Sequence, residues 1–201
     1  MIERNQHRGV LRRGAFLLLL FLSVAAGALA QEVGTIAALD GSGKIGRRDL
    51  WIAATAGAAI QRGDELVTGQ PGRMRIVFQD DTVLTIGDDS RIVVDEQVFD
   101  PDKGQTHSVL GLLQGKVSAL VSEYYKRPGA TYQIKTATAV AGVRGTEFVV
   151  TYDPRDNRTE VAGLSGTVEV RGAFDRSGGG VFITAQEVTT VTRGRLPTPP
   201  R

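Results

Sequence analysis

The chain has 201 residues, with 41% hydrophobic and 23% charged side chains, no cysteine and a formal net charge of +2. These proportions are those of an ordinary globular protein, and the missing cysteines exclude disulfides, thiolate zinc sites and the lipid-bearing cysteine of a bacterial lipoprotein. Four Arg and one Glu fall within residues 1–30, so residues 31–201 carry about −1, and the basic balance of the whole chain (pI ≈ 9.1) implies no nucleic-acid partner.

Residues 1–30 read as a signal peptide. Arg4, Arg8, Arg12 and Arg13 make a basic start, a leucine-rich apolar run follows from Ala15, and Ala28-Leu29-Ala30 has the A-x-A cleavage pattern. Cleavage is expected after Ala30, leaving Gln31 as the mature N-terminus in the periplasm or outside the cell, with no stable membrane insertion afterwards. The apolar run is short for a membrane span of about 20 residues.

The remainder reads as one all-β domain over residues 31–195, with residues 196–201 (L-P-T-P-P-R) as a disordered tail. A first strand over 32–39 ends at the turn dipeptides Asp40-Gly41 and Ser42-Gly43. Residues 47–60 are ambiguous, since A-A-T-A-G-A-A permits a short helix while Ile52, Thr55 and Gly57 weaken it. Gln70-Pro71-Gly72-Arg73 has the order of a type II turn. Short strands at 74–78, 82–86 and 91–94 alternate with Asp- and Gly-rich turns, which is the pattern of a two-sheet roll, sandwich or solenoid. Asp100-Pro101-Asp102-Lys103-Gly104 is a polar loop before strands at 106–113 and 116–121. A loop with Tyr124 and Tyr125 precedes a strand at 131–136, and further short strands fill 149–152, 159–164, 167–171, 181–184 and 188–192.

The stretch T-A-T-A-V-A-G-V-R-G-T-E-F-V-V (residues 136–150) has little polar surface, with one Arg and one Glu among small or apolar side chains. It is expected to thread the core, with Gly142, Arg144, Gly145 and Thr146 as a structural keystone. Arg144 then needs a partner such as Glu147 or an Asp of the central turns, because a buried unpaired guanidinium costs several kcal/mol or more. On that reading Arg144→Ala lowers the melting temperature by several degrees. In the alternative reading Arg144 lines a groove and binds an anionic partner.

Three blocks carry a resemblance to a known family. G-D-E-L-V-T-G (63–69) with G-R-M-R-I-V-F (72–78), D-D-T-V-L-T-I-G-D-D-S-R-I-V-V (80–94) and T-A-T-A-V-A-G-V-R-G-T-E-F (136–148) together resemble the FecR domain over residues 63–148. The family usually has Asp-Gly where this chain has Asp80-Asp81. The resemblance implies a periplasmic β module. In the best-known members it senses a ligand-loaded TonB-dependent transporter and controls a sigma factor from a cytoplasmic segment. Here only residues 1–14 precede the apolar run, so the expectation is the exported module alone.

Other motifs point to chemistry only weakly. Gly41-Ser42-Gly43-Lys44-Ile45-Gly46 matches G-x-G-x-x-G but lacks a following helix start and reads as a turn. The pairs Asp80/Asp81, Asp88/Asp89 and Asp95/Glu96 read as turn chemistry, with a Ca²⁺ site as the alternative if the turns stack. His107, alone after residue 30, lacks a nucleophile elbow or zinc partners. The expected function is a non-enzymatic FecR-like binding or scaffold module of the bacterial envelope, without cofactor or metal, whose partner is another envelope protein. Alternatives are a regulatory component of TonB-linked signalling and a Ca²⁺- or carbohydrate-binding surface protein. Trp51, Tyr124 and Tyr125 are the candidates for a binding face, against a role capping the β layers.

Overall fold

A computed structural model describes residues 31–175 and 179–201. The signal peptide expected over residues 1–30 therefore lies outside the described residues. The described chain forms strands β1 (Glu32–Arg47), β2 (Leu50–Ala53), β3 (Ala59–Gln61), β4 (Glu65–Phe78), β5 (Val83–Ile86), β6 (Arg91–Asp100), β7 (Gln105–Leu120), β8 (Thr131–Lys135), β9 (Ala139–Val143), β10 (Glu147–Asp153), β11 (Arg158–Gly163), β12 (Val168–Gly172), β13 (Gly180–Ile183) and β14 (Val188–Thr192). The ambiguous stretch after Arg47 is therefore β2, a turn and β3 rather than a helix. A 3-10 turn occupies Glu123–Lys126.

The hydrogen-bond ladders resolve into two layers that share the three long strands. In the first, the order is β13-β12-β9-β8-β7-β6-β4-β1-β2, using the first half of β7, the first few residues of β4 and the end of β1. In the second it is β3-β1-β4-β5-β7-β10-β11-β14, using the opposite ends of the same three strands. All pairings are antiparallel except β7 with β8. The architecture is the two-sheet β roll expected from the turn spacing, but three strands are long and bend from one layer into the other.

The bends fall where the sequence suggested turns. At Gln70-Pro71, a cis peptide, β4 does not reverse; it crosses β1 at a shared irregularity near Gly41. The two backbones nest there, and a Cβ on Gly41 would lie 2.3 Å from the Pro71 carbonyl oxygen. The G-x-G-x-x-G motif is thus the bend of β1, not an isolated turn. In β7 the change of layer occurs at Gly115, with φ +91°.

Alternation decides the core. Met74, Ile76 and Phe78 point inward while Arg75 and Val77 face out. Ile36, Leu84, Ala119, Phe148 and Val161 from one layer meet Ile45, Leu66, Ile92, Leu110 and Ile134 from the other in a single cluster. Each large apolar side chain so buried contributes about 1.5–3 kcal/mol. A clamp at the start of β4 adds to this: Asp64, 1% exposed, accepts from Arg47 Nε at 2.7 Å, Nη2 at 2.6 Å and the Gln61 amide at 2.8 Å.

The C-terminal residues do not trail free as expected. Thr198 and Arg201 pair through their backbones with Thr190 and Val188, so this segment covers the outer edge of β14. Proline does not prevent this, because only alternate residues of an edge segment need an N–H.

Candidate functional site

The distinctive stretch 136–150 builds two different things. Its first part ties the layers together. Thr136 and Thr138 at the turn into β9 both share hydrogen bonds with Thr159 of β11, each at 2.6 Å, and Thr136 Oγ1 also accepts from the Ala139 amide at 2.9 Å. Its second part reaches the surface. β9 ends at Val143, and Arg144 and Gly145 form the bend into β10.

Arg144 is exposed, contrary to the expectation of a buried, paired guanidinium, and it makes no hydrogen bond or ion pair among the described residues. The physical reason is strand alternation: Ala139, Ala141 and Val143 point inward, so Val140, Gly142 and Arg144 fall on the outer face as β9 ends. Gly145 takes φ +68°, and the Lys126 stem lies where its Cβ would be, 2.9 Å away. Thr146 is 4% exposed, and its hydroxyl has no partner.

These residues border an outward-facing trough of about 660 Å³ on the first layer, a size typical of ligand clefts. Its floor follows a row of register partners across four strands: Gln133 of β8, Gly142 of β9, Glu169 of β12 and Phe182 of β13. Gly142 leaves the gap in that row. A Cβ there would meet nothing closer than the Tyr132 carbonyl oxygen at 4.0 Å, and its φ is not positive. Mid-strand glycine costs about 0.5–1 kcal/mol relative to Ala, so neither packing nor backbone geometry accounts for it here. Phe182 is 62% exposed at one end. Of the charged groups, Lys126 pairs with Glu123 at 2.6 Å and Glu169 pairs with Arg171. Arg144 is the unpaired one among the described residues.

A second constellation lies inside. Asp80, 0% exposed, accepts from Tyr125 Oη at 2.5 Å, Gln97 Nε2 at 2.7 Å and the Thr82 amide at 2.9 Å. Burial, reinforced by the Asp80 charge, pushes the Tyr125 hydroxyl far up from the ordinary tyrosine value, and the same causes raise Tyr132. Gln97, Ser108 and Tyr132 are register neighbours across β6, β7 and β8. The rings of Tyr125, Tyr132 and Phe148 meet edge to face at 5.3 and 6.4 Å.

The proposed aromatic face separates. Trp51 is 51% exposed on the edge strand β2, its ring laid over Gly46. Tyr124 is half-buried, between Phe99 and the Arg127 guanidinium. Tyr125 is fully buried on Asp80 and cannot belong to a binding face; the 3-10 turn rotates successive side chains by about 120°, which separates it from Tyr124.

The acidic pairs do not converge, and no group of three or more His, Asp or Glu close enough for a metal occurs among the described residues. Asp80 points inward, Asp88 accepts from the Gly72 amide at 2.7 Å, and Glu96 pairs with His107 at 2.7 Å. In the sequence Asp80-Asp81 reads as a solvated turn, which hides the inward Asp80. The signal was present, however: the alternation of β4 continues past Phe78 and turns Asp80 to the core. Asp81 has φ +66°, which glycine adopts freely.

The family model described as FecR protein matches residues 64–169, which include the Asp80 cluster and most of the trough. Two crystal structures of a protein from Parabacteroides distasonis, provisionally described as an anti-sigma factor, are similar to this fold, each with a TM-score of 0.54 and 17% sequence identity. The likeness covers 68% of this chain and 58% of that one, so this chain spans little more than half of that protein's length. No curated protein matches the sequence.

Proposed function

This chain belongs to the FecR protein family, and from that premise we propose that its β roll is a non-enzymatic recognition module of envelope signalling, exported and cleaved after Ala30. Its partner on this reading is another envelope protein, bound at the trough beside residues 142–146. The observation that carries the reading is Arg144: the stretch 136–150, within the matched family region, delivers an unpaired guanidinium to the rim of an open trough. A charged side chain without an intramolecular role, placed at the rim of an open trough, suits recognition of an anionic group. The interior polar groups serve the fold instead, since the Asp80 carboxylate is enclosed by its three donors. Family membership and the likeness to a protein provisionally described as an anti-sigma factor both favour a regulatory role over a scaffold.

The test is site-specific photo-crosslinking in the producing cell. A photoreactive amino acid at Thr167, on the trough, is expected to capture a discrete envelope protein, and one at Arg75, on the outer face of the second layer, is not. Capture of nothing from Thr167, or of the same species from both positions, would overturn the reading. Mass spectrometry of the secreted or periplasmic protein is expected to begin at Gln31.

A further inference from the structure

We propose that the trough takes an extended acidic polypeptide segment, its backbone passing over Gly142 and a carboxylate engaging Arg144. The inference rests on the recognition role above and adds the chemistry of the bound group.

Three independent observations carry it. Gly142 is a glycine without a structural cause: it lies in the middle of β9, has no positive φ, and a Cβ would enter open space. Such a glycine marks a place where a ligand or another backbone comes close. Arg144, exposed and unpaired, stands on the rim, and its planar fork matches a carboxylate through two parallel hydrogen bonds. Thr146, 4% exposed, borders the same trough, and its buried hydroxyl finds no partner within the protein.

The flanks narrow the class further. Gln133 and Glu169 border the gap on either side, offering amide and carboxylate groups to a peptide's C=O and N–H. At the far end Phe182 is 62% exposed and gives an apolar side chain a surface to lie on. A row of polar, open and apolar positions across neighbouring strands suits an extended chain, whose side chains alternate, better than a compact anion.

The probe is the fluorescent peptide Val-Glu-Val-Glu-Val, with Val-Gln-Val-Gln-Val and free glutamate as controls, added to the mature protein. Backbone amide NMR is expected to show saturable shifts at Gly142, Gly145 and Gly166 with the Glu peptide, and affinity lower by fivefold or more for the Gln peptide. Arg144→Glu is expected to abolish that preference. Gly142→Val is expected to fold with an unchanged or raised melting temperature and to lose binding tenfold or more. Equal binding of the Glu and Gln peptides, equal competition by free glutamate, or full binding by Gly142→Val would overturn the proposal. So would the absence of shifts at these amides up to millimolar peptide. Should Gly142→Val not fold, Arg144→Glu, altered at an exposed position, decides alone. Persistent crosslinking from Thr167 in Gly142→Val cells would sink this ligand class while leaving the recognition role intact.

Discussion

Asp80 and Arg144 are handled in opposite ways by one fold. The acid is 0% exposed and holds three donors from three segments. The base is exposed and holds none among the described residues. Ordinary expectation reverses the pair, since a turn acid should meet solvent and an Arg in an apolar run should be buried. The comparison separates two uses of charge. An enclosed charge fixes the positions of its neighbours, and its removal is read in stability. A free charge on an exposed rim costs the fold nothing, and its removal is read in binding. The two sites are joined through Tyr132, whose ring packs on Tyr125 while its backbone floors the trough.

The largest expected effect lies at Asp80. Asp80→Ala strands Gln97, the Thr82 amide and the Tyr125 hydroxyl in the core and is expected to cost about 3 kcal/mol or more. In a chain of this size that lowers the melting temperature by about 6–12 °C, measurable by calorimetry. A variant as stable as the parent would show that Asp80 does not organise the interior.

Next in size is Gly115. A side chain there must adopt φ +91° and place its Cβ 2.2 Å from Ser90 Oγ. Gly115→Ala is expected to cost about 2–3 kcal/mol in chemical denaturation. The contrast with Gly142 is the point: one glycine is demanded by the bend of β7, the other by nothing in the fold. Equal stability losses at the two positions would erase that distinction.

A smaller effect is expected from Tyr125→Phe, about 1–2 kcal/mol, because Asp80 keeps its other two donors. Its pH dependence is more telling. The Tyr125 and Tyr132 hydroxyls are raised by burial and by Asp80, so the folded state holds their protons longer than the unfolded chain does. That contribution is complete below the unfolded tyrosine value of about 10 and is lost as pH climbs beyond it. Alkaline titration of stability should therefore fall steeply above about pH 10, and Tyr125→Phe should flatten the slope. An unchanged slope would place the hydroxyl outside the Asp80 cluster.

The sequence carried the layers well and the sites poorly. Turn chemistry and alternation located nearly every strand, because both are local. They could not distinguish a turn from a bend at Gln70-Pro71 or Gly115, since that depends on which partner strand lies alongside. The trough was not legible either. It arises from register, which sets Gln133, Gly142, Glu169 and Phe182 side by side across strands far apart in the chain. Arg144 stands out in the sequence by its isolation in an apolar run, but that isolation points to burial, whereas the alternation that turns Ala141 and Val143 inward puts Arg144 on the outer face.

The smallest expected effect on stability is therefore the sharpest test of the comparison. Arg144→Ala removes a side chain that contacts no partner, so the melting free energy should change by no more than about 0.5 kcal/mol. This replaces the drop of several degrees that a buried guanidinium would require. Binding should respond instead. A carboxylate engaged bidentately loses its counter-charge, and hydrogen bonds to charged groups are worth about 1.5–3 kcal/mol, or roughly ten- to a hundredfold in affinity. Lys at this position restores charge but not the fork, so Arg144→Lys should recover part of the affinity while leaving stability as it was. A melting temperature that falls with Arg144→Ala while peptide binding persists would return Arg144 to the interior class that Asp80 represents. Unchanged stability with lost binding would leave the two charges as different in role as they are in exposure.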